Sequence, residues 1–183
     1  MSAEENSRRQ FLVSSMTGIS TAWLALNWPA VVRAQAVAHQ KVEFAFFKPE
    51  QAAEIDAMSA QIFPSDDTPG AREAQVVNFI DLALVTFATD AQSIYTQGLL
   101  DLHAKTKDMF PDAAKFSALK PAQQIQLLTS IEKTPFFKTV RDHTIMGVFA
   151  SPQHGGNYDK VGWKLIGFED KLAFSPPFGY YDR

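Results

Sequence analysis

The chain contains no cysteine in 183 residues. A disulfide framework, zinc held by thiolates, an iron–sulfur cluster and covalent c-type haem attachment are therefore excluded for this chain. The absence leaves the compartment open, because a cysteine-free protein suits an oxidising or a reducing one. Histidine is scarce as well, with four in all: His39, His103, His143 and His154. None sits in an H-x-x-x-H or E-x-x-H pattern, so the zincin and di-iron bundle readings fail. A haem held by His and Met stays open, but no pattern selects a pair. His143 follows Asp142, and adjacent residues on a helix face different ways, so the two do not aim at one site. There is no G-x-G-x-x-G, no G-K-[ST] and no G-x-S-x-G. Gly155-Gly156-Asn157 reads as a tight turn rather than a phosphate cradle.

Excess basic charge is missing too. Lys and Arg number 17 against 20 Asp and Glu, a net charge of −3 with a pI near 5.8. No basic cluster lies beyond the N-terminus, which argues against a nucleic-acid binder. No internal repeat and no low-complexity tract is visible. After residue 36 no apolar run is long enough to span a bilayer. Alternation of period two is confined to "KVEFAFF" near residue 41. Hydrophobic residues make up 46% of the chain, which is ordinary for a globular protein and argues against disorder by composition.

What is present begins with an address. Residues 1–36 read as a targeting peptide. Ser7-Arg8-Arg9-Gln10-Phe11-Leu12 resembles the twin-arginine export consensus, with Arg8, Arg9, Phe11 and Leu12 as its signal residues. Phe11 to Val32 is apolar but diluted by Ser, Thr and Gly. Ala34-Gln35-Ala36 has the small-x-small form of a cleavage site. Cleavage is expected after Ala36, with Ala34 as the alternative. A retained anchor or a transmembrane helix is the competing reading of the same stretch. Three arginines and two glutamates lie in this segment, so the remainder is still acidic.

The rest reads as an all-α domain, an irregular bundle of about five helices spanning residues 37–150. Residues 49–63 open on Pro49, suited to a first helical position, and place Ala52, Ile55, Met58, Ile62 and Phe63 on one face. "PSDDTPGARE" is a loop. Its paired Asp66 and Asp67 lack the length and pattern of an EF-hand and read as turn and cap residues. Residues 72–88 carry a wide apolar stripe from Val76 to Phe87. Asp81 beside that stripe reads as a solvated or capping carboxylate. Further helices are expected over 91–110, with Gly98 as a weak point, over 119–133 behind Pro121, and over 135–150 behind Pro135.

Residues 151–183 change character. They hold most of the later glycines, two adjacent prolines and many aromatics. This segment is expected to be an extended, aromatic-rich C-terminal arm. Its partner-interface candidates are Trp163, Phe168, Phe174, Phe178, Tyr180 and Tyr181, because aromatics without a core of their own often anchor interfaces. Packing back onto the bundle is the alternative, above all for Trp163, Leu165, Ile166 and Phe168.

"FFKPEQAAEIDAMSAQIFPSDDTPGAREAQVVNFIDLAL" resembles the gluconate 2-dehydrogenase subunit 3 family, also called the gamma chain. The resemblance rests on Phe47, Pro49 to Gln51, Ile62 to Pro64, Asp67 to Ala71, and Phe79 to Asp81. It is extended by Gly155 to Asn157, Gly162, Trp163 and Gly167. It implies a periplasmic complex at the outer face of the cytoplasmic membrane. The large subunit would be an FAD flavoprotein of the glucose–methanol–choline type. A multihaem cytochrome c subunit, with haem c, would pass electrons to ubiquinone. Gluconate would go to 2-keto-gluconate, while relatives act on other sugars, sugar acids or alcohols. The small chain would have no catalytic residue, cofactor or metal of its own, and would serve export, maturation and stability of the flavoprotein. That role explains a twin-arginine label on a chain without a visible cofactor site, since the route carries folded passengers. Two rivals stand beside it. One is a stand-alone periplasmic protein binding a small ligand between its helices. The other is an enzyme whose site assembles from distant Asp and His residues.

Overall fold

The computed structural model describes residues 43–171 and 173. These residues form six α-helices and no strand. Helix α1 runs Pro49–Ile62, α2 Val76–Val85, α3 Gln92–Met109, α4 Pro121–Ile131, α5 Pro135–Phe149 and α6 Val161–Leu165. Single 3-10 turns sit at Thr89–Ala91, Phe116–Ala118, Pro152–His154 and Tyr158–Lys160. The first five helices are the expected ones. The fold class is all-α, as the periodicity implies.

Local chemistry explains the helix starts. Pro49, Pro121 and Pro135 each occupy the first helical position, where a missing N–H costs nothing. The chain uses Lys-Pro-x-Gln twice. Gln51 Oε1 accepts the Lys48 amide at 2.9 Å, and Gln123 Oε1 accepts the Lys120 amide at 3.0 Å. Each glutamine thus caps its own helix entrance. At α5 the Thr134 hydroxyl accepts the Phe137 amide at 3.2 Å, a conventional N-cap.

Helix α2 starts later than its apolar stripe suggests. Gln75 sits in the left-handed region at φ 53° and breaks the helical path just before Val76. Ahead of it, Gly70–Gln75 closes as hydrogen-bonded turns. Glu73 braces that loop, accepting the Gly70 amide at 2.8 Å and the Ser65 hydroxyl at 2.5 Å.

Helix α5 is the hub, packing against α1, α2, α3 and α6. The core around it contains Ile55 and Met58 of α1, Phe79, Ile80 and Leu84 of α2, Tyr95 and Leu102 of α3, and Val140 and Val148 of α5. Each large apolar side chain buried this fully stabilises the fold by roughly 1.5–3 kcal/mol. Gly98 lets α3 approach α5 closely. A Cβ there would lie 2.1 Å from Phe136 Cγ, so Gly98 is a packing requirement rather than a weakness of the helix.

Candidate partner interface

Among the described residues no group of three His, Asp or Glu could hold a metal ion. The histidines stay apart: His103 lines a cleft between α1 and α3, His143 meets Tyr95, and His154 lies beside Phe87. His39 lies outside the described residues. The α1–α3 cleft has a volume of about 360 Å³ and is bounded by Glu50, Glu54, Leu100 and His103. Glu54 has a structural task there. Its carboxylate accepts the Ser117 hydroxyl at 2.5 Å and the Ser117 amide at 3.3 Å, tying the Phe116–Ala118 turn to α1. Asp142 pairs with Arg141 at the surface while His143 turns inward, as their adjacency on one helix implies.

The carboxylates of the early loop and of α2 have separate duties. Asp66 Oδ1 accepts the Thr68 amide at 3.0 Å and the Thr68 hydroxyl at 3.1 Å, closing an Asx turn. Those bonds hold its carboxyl below the usual range. Asp81 departs from the expectation of a solvated group. It is only 6% exposed. Oδ2 accepts the Ala45 amide at 2.7 Å, while Oδ1 accepts Phe46 at 3.0 Å and Phe47 at 2.9 Å. The carboxylate caps the backbone of a distant segment rather than its own helix. That explains why the described part of "KVEFAFF" forms no strand: three successive amides donate to one side chain instead of to a neighbouring strand.

The segment after α5 grows out of an unsolved hydrogen-bonding problem. The last carbonyls of a helix have no intrahelical partner. Here the chain folds back and supplies partners. The Asn157 amide donates to Gly147 O at 2.8 Å, Asn157 Nδ2 donates to Ala150 O at 2.9 Å, and Trp163 Nε1 donates to Phe149 O at 2.8 Å. Asn157 Oδ1 in turn accepts the Gly162 amide at 2.8 Å, which starts α6 against α5. Asn157 is fully buried and left-handed at φ 46°, a region asparagine tolerates better than most residues. The neighbouring glycines are demanded by contact. A Cβ at Gly156 would lie 2.3 Å from Gly147 O, and one at Gly162 would lie 2.0 Å from Val148 O. The Gly-Gly-Asn turn and the Gly-Trp pair are one device that caps α5.

Residues 151–168 are therefore not extended. They form two 3-10 turns and a short helix seated on the C-terminal end of α5 and against α2. Periodicity was too short to reveal this, because each turn spans only three residues. Trp163 and Phe168, both named from the sequence, come together with ring centroids 4.9 Å apart. Their roles divide. Trp163 is half-buried, with its N–H spent on α5, and is a post inside the fold. Phe168 is 50% exposed, and Ile166 beside it is 60% exposed. Leu165 is exposed as well. The outward apolar residues are thus Leu165, Ile166 and Phe168. Phe174, Phe178, Tyr180 and Tyr181 lie outside the described residues, as do Arg8, Arg9, Phe11 and Leu12.

A second exposed apolar group was not anticipated. Phe87, just past α2, is 57% exposed, and Leu82 and Val85 flank it on the same helix end. Phe87 packs edgewise near the ring of His154, 6.5 Å between centroids, so this group adjoins the start of the C-terminal segment. The stripe over 72–88 is wider than one buried face needs, and that width was the legible sign of it.

Among the described residues no helix is long and apolar enough to cross a membrane. Residues 49–170 match the family model described as gluconate 2-dehydrogenase subunit 3. Comparison with curated proteins and with solved structures finds no match. The matched span takes in all six helices, the Asp66–Ala71 loop and the Gly-Gly-Asn device. The chain belongs to the gluconate 2-dehydrogenase subunit 3 family.

Proposed function

We propose that this chain is the non-catalytic small subunit of a periplasmic FAD-dependent dehydrogenase of the gluconate 2-dehydrogenase type. In this reading its twin-arginine leader exports a complex that is already folded. The chain accompanies and stabilises a flavoprotein large subunit of the glucose–methanol–choline type. Electrons pass from that partner's FAD to a cytochrome c subunit and on to ubiquinone. The observation that carries the reading is the family match, which spans the helical body and the α5-capping segment together. The exposed Leu165, Ile166 and Phe168 support it, because a group of large apolar side chains held outward at the end of a short helix and just past it suits a permanent partner.

The test is a pull-down of the tagged full chain from native periplasm and membrane, read by absorbance and mass spectrometry. The expected result is a flavin spectrum with a copurifying large dehydrogenase. A colourless single band would overturn the reading and favour the ligand-binding alternative.

A further inference from the structure

Buried Tyr95 and half-buried His143 form a pair that the subunit role does not use. Tyr95, on α3, is 0% exposed. Its ring lies nearly parallel to the His143 imidazole on α5, 17° between planes and 5.8 Å between centroids. Its hydroxyl meets His143 Nδ1 at 3.1 Å. Among the described residues that hydroxyl has no second hydrogen-bond partner. Two aromatic neighbours pack on the Tyr95 ring: Phe136 edge-on at 6.0 Å and Phe47 tilted at 5.7 Å. Phe47 belongs to the segment whose amides Asp81 holds.

Chemistry assigns the protons. Burial pushes the Tyr95 phenol far above its ordinary range, so it stays O–H and donates. Among the described residues His143 Nδ1 is the one acceptor within reach of that O–H, which favours the tautomer with the imidazole proton on Nε2. Acid adds its proton at Nδ1, the nitrogen that was accepting. The phenolic oxygen then accepts from Nδ1–H, but its own hydrogen must rotate away, and among the described residues no other acceptor meets it. A buried donor without an acceptor is costly, so the pair resists protonation until the packing gives way.

The geometry points to an acid-sensitive latch: protonation of His143 leaves the Tyr95 hydroxyl hydrogen unpaired in the core and loosens Phe47 with the segment that Asp81 clamps. This stands apart from the partner reading and needs no partner to operate. The ionisable groups acting on His143 are Tyr95 on α3, Asp90 on the Thr89–Ala91 turn and Asp142 on α5 itself. Desolvation lowers the affinity of His143 for a proton, and the two aspartates oppose that in part. The folded form thus binds this proton more weakly than the unfolded chain does. The stability conferred by neutral His143 is complete above the ordinary histidine range. It is lost as pH falls through about 6.5 toward the folded value.

The experiment follows the His143 imidazole by NMR in the full chain and in Tyr95→Phe. It also follows amide hydrogen exchange at Phe46 and Phe47 from pH 7 to pH 5, corrected for intrinsic exchange. In the parent chain, exchange at these amides is expected to rise about tenfold over that range. In Tyr95→Phe the hydroxyl is gone. The His143 midpoint should move up by about one pH unit and the acid response of the Phe47 amide should shrink. An unchanged midpoint in Tyr95→Phe would overturn the coupling. An acid-insensitive Phe47 amide in the parent chain would overturn the latch. Phe136→Leu, which keeps the pair and alters only its wall, should retain the pH response, and its loss there would reduce the effect to general packing.

Discussion

Asp81 accepts the amide of Phe47 at 2.9 Å across 34 positions of sequence, and the same carboxylate holds the two preceding amides. One side chain on α2 therefore sets where the N-terminal segment of the helical body lies. Phe47 follows it into the core against Tyr95.

Replacing that carboxylate is expected to be expensive. Asp81→Ala leaves three amides without their acceptor at a buried site, and should lower stability by about 3 kcal/mol. Asp81→Asn keeps one acceptor oxygen and should cost roughly half as much. Urea unfolding of both variants checks the order; equal losses would mean that packing, not hydrogen bonding, matters at this site.

Gly98 sets two principles against each other. Helix propensity alone says that Gly98→Ala should stabilise by about 1 kcal/mol. The close approach of Phe136 says the reverse, since the new methyl would collide with the root of that ring and not with its movable end. Overpacking of this kind costs about 1–3 kcal/mol, so the variant should be destabilised on balance. Thermal unfolding decides the sign, and Phe136→Leu in the same chain, which keeps the Cβ and Cγ that the methyl meets, should not recover the loss.

Asn157 joins α5, the C-terminal segment and α6 through its own amide and both ends of its side chain. Asn157→Ala should cost about 2 kcal/mol. Asn157→Gly should fail to rescue it, although glycine fits the left-handed backbone, because the bonds to Ala150 and Gly162 are still lost. Limited proteolysis should then cut within 151–168 while α1 to α5 remain protected.

Ile166 and Phe168 should behave oppositely to Asn157. Both are exposed, so Ile166→Ser should change fold stability by less than about 0.5 kcal/mol, and Phe168→Ser, which also loses the edge contact with Trp163, by about 1 kcal/mol. If they meet the flavoprotein, the double variant should weaken co-purification by roughly tenfold or more. Normal recovery of the partner would move the interface elsewhere, with the Phe87 group as the next surface to alter.

The place of a truncation matters for the same reason. A chain ending after residue 150 loses Asn157 and Trp163 and leaves the carbonyls of Gly147, Phe149 and Ala150 without partners. It should unfold at lower urea than the parent. A chain ending after residue 171 keeps the α5 cap, so any loss of co-purification there reports on residues 172–183, which include Phe174, Phe178, Tyr180 and Tyr181.

The helices were legible because their signals are local. Pro49, Pro121 and Pro135 mark starts, the 3–4 spacing of apolar residues marks faces, and Pro64 and the Asp66–Gly70 run mark a loop. Each signal acts within a turn or two of chain, so one stretch of sequence contains both cause and effect. The family resemblance was legible for a related reason, since its marks are short ordered motifs. The outward apolar surface was legible only in part: Trp163 and Phe168 were named together, but composition does not say which aromatic turns inward.

The tertiary structure alone decided what the polar and small residues are for. The stretch around Asp81 does not contain the amides it binds, and Gly98 carries no trace of Phe136. His143 and Tyr95 lie 48 positions apart. A carboxylate, imidazole or amide turned into the fold takes whatever partner the packed core brings within hydrogen-bonding reach, and that partner is set by how helices cross, not by neighbours in the chain. Sequence therefore determined the helices, the loops and the family. The fold determined the clamp at Asp81, the cap built from Asn157 and Trp163, and the pairing of Tyr95 with His143.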